Sequence, residues 1–385
     1  MITDFPADER QILEAVRDFV VKKVSPASKG LDAEEIWPEQ TLEEMKRMGM
    51  FGIAIPEENG GFFKSYGLYY ETIREIAKIC ASHALILLSH SFCAHLIKSW
   101  GTRDQKDRWL PKMASGEFLG AVAMTETDAG SDLSAIRTKT VPCEGGYLLN
   151  GHKQFITNGS RADVIVVLTA TSATHPIFNK TLFIVEPPLP GFGAGKRETK
   201  MGFRGADTSE LFFDDVKLGG HAMLGREGQG LLSIMTGLQY SRLATAALAL
   251  GIAESAHEES IRYAKQRKQF GKPICEFQII QQYLADNETE LECSRLLLRR
   301  AACRQDQGES IVSYASMVKY YGSETALRVV SRALQIHGAY GYIKDFPIER
   351  HYRDVRLCTI FEGSSEILRM VIARQLCGLR QERHV

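Results

Sequence analysis

Apolar residues in the first third of the chain recur at three- and four-residue steps. Ile12, Leu13, Val16, Phe19, Val20 and Val24 form one such stripe, which predicts an amphipathic helix following Pro6 and Asp8. Leu42, Met45, Met48 and Met50 mark a second helix ending before Pro56, and residues 69–76 a third. The run 83–100 is apolar nearly all round, the pattern of a helix covered on every side. Residues 1–116 therefore read as a helical unit.

The period changes after residue 117. Short β-rich runs occupy 118–124, 146–150, 164–171, 181–185 and 211–216, separated by Gly, Pro and Asn-Gly signals. Asn150-Gly151 has the composition of a tight hairpin turn. No long helical pattern interrupts these runs, so residues 117–225 read as an antiparallel barrel or sandwich, not a βαβ sheet. Helical periodicity returns at Arg226, with helices expected near 228–250, 253–267, 276–306, 309–337 and 362–375. The expected fold class is α+β: an N-terminal helical domain (1–116), a middle antiparallel β-domain (117–225) and a C-terminal helical domain like a four-helix bundle (226–385).

Composition narrows the function classes. A chain of 385 residues exceeds one hydrophobic core, in keeping with several units in one subunit. Lys plus Arg (47) equals Asp plus Glu (47), so the basic excess of a nucleic-acid binder is missing, although a local patch for a phosphorylated ligand is not excluded. The eight cysteines are scattered without C-x-x-C spacing, which points to free thiols in a reducing compartment and offers no zinc site. The start, MITDFPADER, lacks the basic and apolar regions of a signal peptide, and no run reaches the roughly 20 apolar residues of a membrane span. The expected location is the cytoplasm, or the mitochondrial matrix after loss of a presequence.

Four segments invite a chemical reading. Gly191-Phe192-Gly193-Ala194-Gly195-Lys196 looks like a phosphate loop, but it follows a proline-rich stretch and opens into no helix, so a surface loop is expected. Ala129-Gly130-Ser131-Asp132 follows a strand and is either a plain turn or a place where backbone N–H groups approach a ligand. Phe155-Ile156-Thr157 places an aromatic ring and a hydroxyl two residues apart, on one face of a strand, either as core or against a flat ring. Glu362, between an apolar pair and Gly363 before a helix, is either an electrostatic cap or a general base on a turn.

Taken together and in order, these segments resemble the acyl-CoA dehydrogenase family over nearly the whole chain. Thr125-Glu126-Thr127-Asp128-Ala129-Gly130-Ser131-Asp132 is similar to its first signature, with Thr127 for the usual proline. Arg267-Lys268-Gln269-Phe270-Gly271 with Gln278, Gln335-Ile336-His337-Gly338-Ala339-Tyr340-Gly341, Tyr352-Arg353-Asp354 and Phe361-Glu362-Gly363-Ser364-Ser365-Glu366-Ile367 supply four more collinear matches.

The resemblance implies oxidation of an acyl-CoA thioester to the trans-2-enoyl-CoA, with Glu362 taking the α-proton and the β-hydride passing to N5 of FAD. The enolate oxygen would be held by the Glu362 N–H and a flavin ribityl hydroxyl. It further implies that Val122, Met124, Thr125, Gly130 and Ser131 line the flavin and pyrophosphate, with Phe155 (for a usual tryptophan), Ile156 and Thr157 at the isoalloxazine. Ser364 and Glu366 would complete that shell. Arg267, Phe270, Gln278, Gln335, Ile336, Gly338 and Ala339 would reach FAD of a neighbouring subunit, hence a homotetramer built as a dimer of dimers. Ser131, Gln239, Tyr240, Ser241, Arg242, Phe361 and Gly363 would contact the CoA ester, and an electron transfer flavoprotein would take the electrons. In a minority of the family the base precedes an arginine early in the C-terminal domain; here Ser241 stands there and is no base. The region 84–88 carries no cation for a distal carboxylate, so a short, branched or cyclic apolar acyl group is expected. The rival readings are an acyl-CoA oxidase-like flavoenzyme, for which the chain is short, and a FAD-binding protein without catalysis, against which Glu362 counts.

Overall fold

The computed structural model describes residues 5–171 and 179–379, so the first four residues of the N-terminal stretch and the last six of the chain lie outside the described part. Helix α1 (Ala7–Phe19) passes through a π-helical turn, Val20–Val24, into α2 (Ser25–Ala33). The predicted stripe is the buried one: Leu13, Val16, Phe19, Val20 and Val24 all face the core. Helices α3 (Glu39–Arg47), α4 (Tyr66–Ile79), α5 (Ala81–Trp100) and α6 (Arg103–Ser115) complete the first layer. As its apolar circumference demands, α5 is covered almost throughout.

Eight strands follow as one sheet: β1 (Gly120–Ala123), β2 (Lys139–Cys143), β3 (Gly146–Thr157), β4 (Val164–Ala170), β5 (Lys180–Val185), β6 (Phe192–Arg197), β7 (Thr208–Gly219) and β8 (Met223–Leu224). Their order is β6-β7-β3-β2-β4-β5-β8, with β1 beside β4. Most pairs are antiparallel as expected, but β1 runs parallel to β4 over four residues and β2 meets β4 in parallel at Lys139. β4 reads as an unbroken apolar run because both of its faces are covered: Val164, Val166 and Leu168 join the helical core, while Ile165 and Val167 join the core inside the sheet.

The last part returns to helix: α7 (Gly230–Gln266), the small hairpin β9 (Lys268–Gln269) and β10 (Lys272–Pro273), α8 (Gln278–Asp306), α9 (Val312–His337), α10 (Ala339–Tyr342), α11 (Ile348–Val355) and α12 (Ser365–Leu376). The architecture is helices, then sheet, then helices, in the expected order.

Three local expectations are corrected. Asn150-Gly151 is no turn but a bulge inside β3, where pairing with β7 slips between Leu149 and Gly151. The Asn150 amide donates to Asp215 (3.0 Å) and accepts its N–H (2.9 Å), and a side chain at residue 151 would stand 2.5 Å from the Thr138 hydroxyl. The segment 191–196 is neither phosphate loop nor surface loop but carries strand β6 along the outer edge of the sheet. The two helices expected at 228–250 and 253–267 are the single helix α7, 37 residues and about 55 Å long. Gly251 does not break it; a Cβ there would lie 2.3 Å from the Arg74 carbonyl, so the glycine lets α4 press against α7.

Candidate active site

Beyond β1 the chain runs through Met124 and Thr125 into a turn closed by reciprocal backbone bonds between Glu126 and Ala129. The Glu126 carboxylate holds this turn from beneath. It accepts the N–H groups of Arg137 (2.7 Å) and Thr138 (2.9 Å) and the Lys153 ammonium (2.8 Å), and Lys153 also donates to the Met124 carbonyl (2.8 Å). Burial alone would push the Glu126 carboxyl up, but Lys153 and the donors outweigh it and hold it below its ordinary range. The signature glutamate therefore shapes the loop instead of entering the chemistry. At its apex Gly130 has nothing within 4 Å of where a side chain would begin, leaving open space over the backbone.

β3 delivers the second wall. Its pairing with β7 slips again between Lys153 and Ile156, and Phe155 takes φ +60° at that irregularity. Strict alternation is therefore broken, yet Phe155, Ile156 and Thr157 all line the same cleft, with the Phe155 ring 57% exposed toward it. α5 is fastened to this floor by two side chains. His90 Nδ1 accepts the Gly120 N–H (3.1 Å), and the Asn158 amide donates to the carbonyls of Ile86 (3.1 Å) and Gly120 (3.2 Å). His83 meets the Thr41 hydroxyl (2.6 Å), and His95 stacks on Tyr240 at 4.3 Å. Burial lowers all three, His83 and His90 to about 4 and His95 to about 3, so they stay neutral and structural.

The third wall is the turn before α12. Glu362 (φ +57°) and Gly363 (φ +93°) take consecutive left-handed conformations, which swings the Glu362 side chain inward. The capping hydrogen bond falls to Ser364, whose hydroxyl accepts the Ile367 N–H, and not to Glu362. The Glu362 Oε2 atom is buried without a hydrogen-bond partner among the described residues. Burial raises the Glu362 carboxyl above its ordinary range, against the opposing pull of the Ser241 hydroxyl and the Arg242 and Lys319 cations. Two buried cations grip the turn from behind: Arg242 Nε donates to the Glu362 carbonyl (3.2 Å), and Lys319 Nζ to the Gly363 carbonyl (2.6 Å).

These walls enclose a cleft of about 1200 Å³. Val122, Met124, Thr125, Gly130, Ser131, Phe155, Ile156, Thr157 and Ser364 line it, as do Gln239, Arg242, Phe361, Glu362 and Gly363. Leu85, Leu88 and Phe92 of α5, with Leu238 and Met235 of α7, add an apolar side. Tyr240, Ser241 and Glu366 stand elsewhere than expected. Tyr240 and Ser241 do not line the cleft but lie buried behind it, where Tyr240 stacks between Tyr69 and His95. Glu366 points outward from the first turn of α12. The remaining residues, Arg267, Phe270, Gln278, Gln335, Ile336, Gly338 and Ala339, lie outside the cleft, at the end of α7 and α9 and on the hairpin between α7 and α8.

There Arg267 and Tyr340 help line a second hollow of about 230 Å³, the guanidinium 5.6 Å from the ring centre. Phe270 stands 93% exposed at the hairpin tip, and Gln278, Gln335, Gly338 and Ala339 are exposed too. Ile336 instead packs on Ala264 and Ile274. Lys319 was not anticipated: a lysine amid the apolar positions of α9 gives no sign of its direction until the fold brings α9 under residue 363.

Family models match the chain along its length: the acyl-CoA dehydrogenase N-terminal domain over residues 6–117, the middle domain over 121–216 and the C-terminal domain over 228–377. The chain belongs to the acyl-CoA dehydrogenase family. An acyl-CoA dehydrogenase of Bacillus subtilis is 41% identical over 94% of this chain and 96% of its own. The acryloyl-CoA reductase (NADH) of Anaerotignum propionicum is 38% identical over 96% and 94%. The structure of butyryl-CoA dehydrogenase from Megasphaera elsdenii superposes with a TM-score of 0.95 at 37% identity, covering 97% of this chain and 99% of that one.

As a member of the acyl-CoA dehydrogenase family the chain is a FAD-dependent oxidoreductase. The cleft suits that cofactor. Open space over Gly130 admits a phosphate-bearing group against bare backbone, and the hydroxyls of Thr125, Ser131 and Thr157 stand around a slot walled by Val122, Met124 and Phe155.

Proposed function

We propose that this acyl-CoA dehydrogenase oxidises a short, branched or cyclic apolar acyl-CoA to its trans-2-enoyl-CoA, with Glu362 as the base that removes the α-proton. The observation that carries the reading is the inward Glu362 carboxylate, unpaired at Oε2, opening on a cleft with one apolar wall. A thioester α-proton is weakly acidic, so a base made more proton-hungry by burial is better matched to it. The enolate oxygen that develops calls for a preset donor, a role assigned here to the Glu362 N–H. FAD, when bound, supplies the acceptor for the β-hydride; Val122, Met124, Thr125, Gly130, Ser131, Phe155, Ile156, Thr157 and Ser364 are the residues proposed to hold it. Gln239, Arg242, Phe361 and Gly363 are assigned to the CoA ester, and Leu85, Leu88 and Phe92 to the acyl chain. The apolar side that these three present favours an apolar tail.

The test is an anaerobic panel of acyl-CoAs differing in length, branching and distal charge, followed by bleaching of the flavin. Short, branched or cyclic apolar esters are expected to bleach it and a dicarboxylic ester to fail. Absence of bleaching by every member would refute the reading. The acryloyl-CoA reductase relative favours a second one, in which the same residues work in reverse and Glu362 returns the proton. Net oxidation of NADH by an enoyl-CoA, faster than bleaching by any saturated ester, would select it. Rapid hydrogen peroxide formation under air would instead mark an oxidase.

The proposal extends to assembly and partners. Arg267, Phe270, Gln278, Gln335, the backbone of Ile336, Gly338 and Ala339 are assigned to FAD of a neighbouring subunit in a homotetramer, an electron transfer flavoprotein is the proposed acceptor, and the cytoplasm or mitochondrial matrix the proposed compartment. The unit boundaries 116/117 and 225/226 belong to it as well. Replacing Arg267 by alanine is expected to lower flavin content after gel filtration several-fold while leaving the fold intact; undiminished flavin would count against the cross-subunit contact. Among the described residues no helix is long and apolar enough to cross a membrane.

A further inference from the structure

Lys319 lies about two turns into α9 with no exposed surface, and burial pulls its ammonium down to about 8, so it remains charged at neutral pH. Its hydrogen bond, 2.6 Å to the Gly363 carbonyl, is made to a neutral oxygen. A buried ammonium matched only to a neutral carbonyl is costly, and a neutral donor would hold that carbonyl with less desolvation. The position makes sense if the charge itself is used. The carbonyl it grips belongs to the residue after Glu362, and that turn holds two left-handed residues in succession, one of them not glycine. Such a conformation persists when its surroundings enforce it. Arg242 from α7 takes the Glu362 carbonyl and Lys319 from α9 takes the next, so the turn is pinned by cations from two helices.

We propose that Lys319 is a positioning residue for proton abstraction, fixing the Glu362–Gly363 turn and setting, through its charge, the proton affinity of the Glu362 carboxylate. This rests on Glu362 being the base. The groups facing the pair are Ser241 and Arg242 from α7, Tyr69 from α4, Glu324 farther along α9, Cys358 from the turn after α11 and Glu366 from the first turn of α12. Arg242 pulls the carboxylate the same way as Lys319, so removing Lys319 leaves one cation to oppose burial. A base must be ionised to act, so the rate of flavin reduction rises with pH through its pKa. Loss of the Lys319 charge moves that limb to higher pH.

The experiment is single-turnover flavin reduction by a saturating acyl-CoA across pH, in FAD-loaded wild-type, Lys319→Gln, Lys319→Arg and Glu362→Gln enzymes. Lys319→Gln keeps a donor but not the charge. It is expected to shift the limb upward by about one unit and to slow reduction at neutral pH by ~10- to 100-fold, with the Kd for enoyl-CoA nearly unchanged. Lys319→Arg is expected to hold the limb near its wild-type position. An unmoved limb and near-normal reduction in Lys319→Gln would overturn the proposal. The two readings separate cleanly: a Glu362→Gln enzyme that still reduces its flavin sinks the base assignment and this inference with it, whereas a dead Glu362→Gln beside a normal Lys319→Gln sinks this inference alone. Should Lys319→Gln fail to hold FAD, the ¹⁵Nζ lysine resonance missing from Lys319→Arg decides instead. Its displacement by Glu362→Gln supports the coupling, and an identical resonance in both enzymes overturns it.

Discussion

Glu362→Gln is expected to abolish flavin reduction by acyl-CoA, by about 10⁴-fold, while FAD and CoA-ester binding persist. The amide has the size and shape of the carboxyl group and leaves the cleft wall unchanged, but it takes up no proton. The same substitution should show in stability, with a sign fixed by linkage. Burial raises the Glu362 carboxyl above its ordinary value of 4.5, so the folded protein binds that proton more tightly than the unfolded chain does. The group's contribution is therefore most favourable below pH 4.5 and is lost as the pH rises through its folded-state pKa. Above its folded-state pKa the native enzyme carries a buried, imperfectly paired carboxylate, and the glutamine variant is relieved of it. Thermal melts should find Glu362→Gln more stable than wild type at neutral pH, with the gap closing toward acid. A variant equally or less stable at neutral pH would mean that the neighbouring cations compensate the carboxylate fully. Function and stability pull against each other at this residue, as expected of the base proposed here.

The helical stripes, the β4 run and the wrapped α5 were legible in the chain because each is a matter of burial period alone. What escaped was decided by neighbours distant in sequence. The break expected between residues 250 and 253 vanishes because Gly251 lets α4 approach, with the Arg74 carbonyl 2.3 Å from its missing Cβ. Asn150-Gly151 has hairpin composition, yet Asp215 opposite captures the asparagine and makes a bulge. β6 went unseen because, on the sheet edge, it buries no full residue. At the site, Glu362 and the residues around Gly130 and Phe155 stood in recognisable local motifs. Lys319 has no motif of its own, and its partner is a backbone carbonyl 44 residues away. The same holds for Lys153, whose burial beneath Met124 explains why the signature glutamate Glu126 is needed without touching the cleft.

Replacing Arg74 by methionine is expected to destabilise the protein by about 3 kcal/mol at neutral pH. Arg74 of α4 is buried and bonds Glu71, Glu75 and, across the helix interface, Glu254 of α7. Arg295 of α8 holds the other Glu254 oxygen at 2.7 Å, and Arg17 of α1 reaches Glu75 at 2.7 Å. The network thus ties α1 and α4 to α7 and α8, and α7 is the helix that carries Ser241 and Arg242 to Glu362. Methionine fills much of the arginine stem's volume, so the loss comes mainly from carboxylates left short of a cation. Burial pushes Glu75 up, but Arg17 and Arg74 outweigh it and hold the carboxyl below its ordinary value of 4.5. A lowered folded-state pKa contributes stability above that value, which is lost as the pH falls below it. Denaturant midpoints should therefore show a large gap between wild type and Arg74→Met at neutral pH that narrows under acid, where the carboxyl is protonated and no longer needs the cation. A gap below about 1 kcal/mol, flat with pH, would place these contacts with ordinary surface pairs and leave the α4–α7 interface to apolar packing around Gly251.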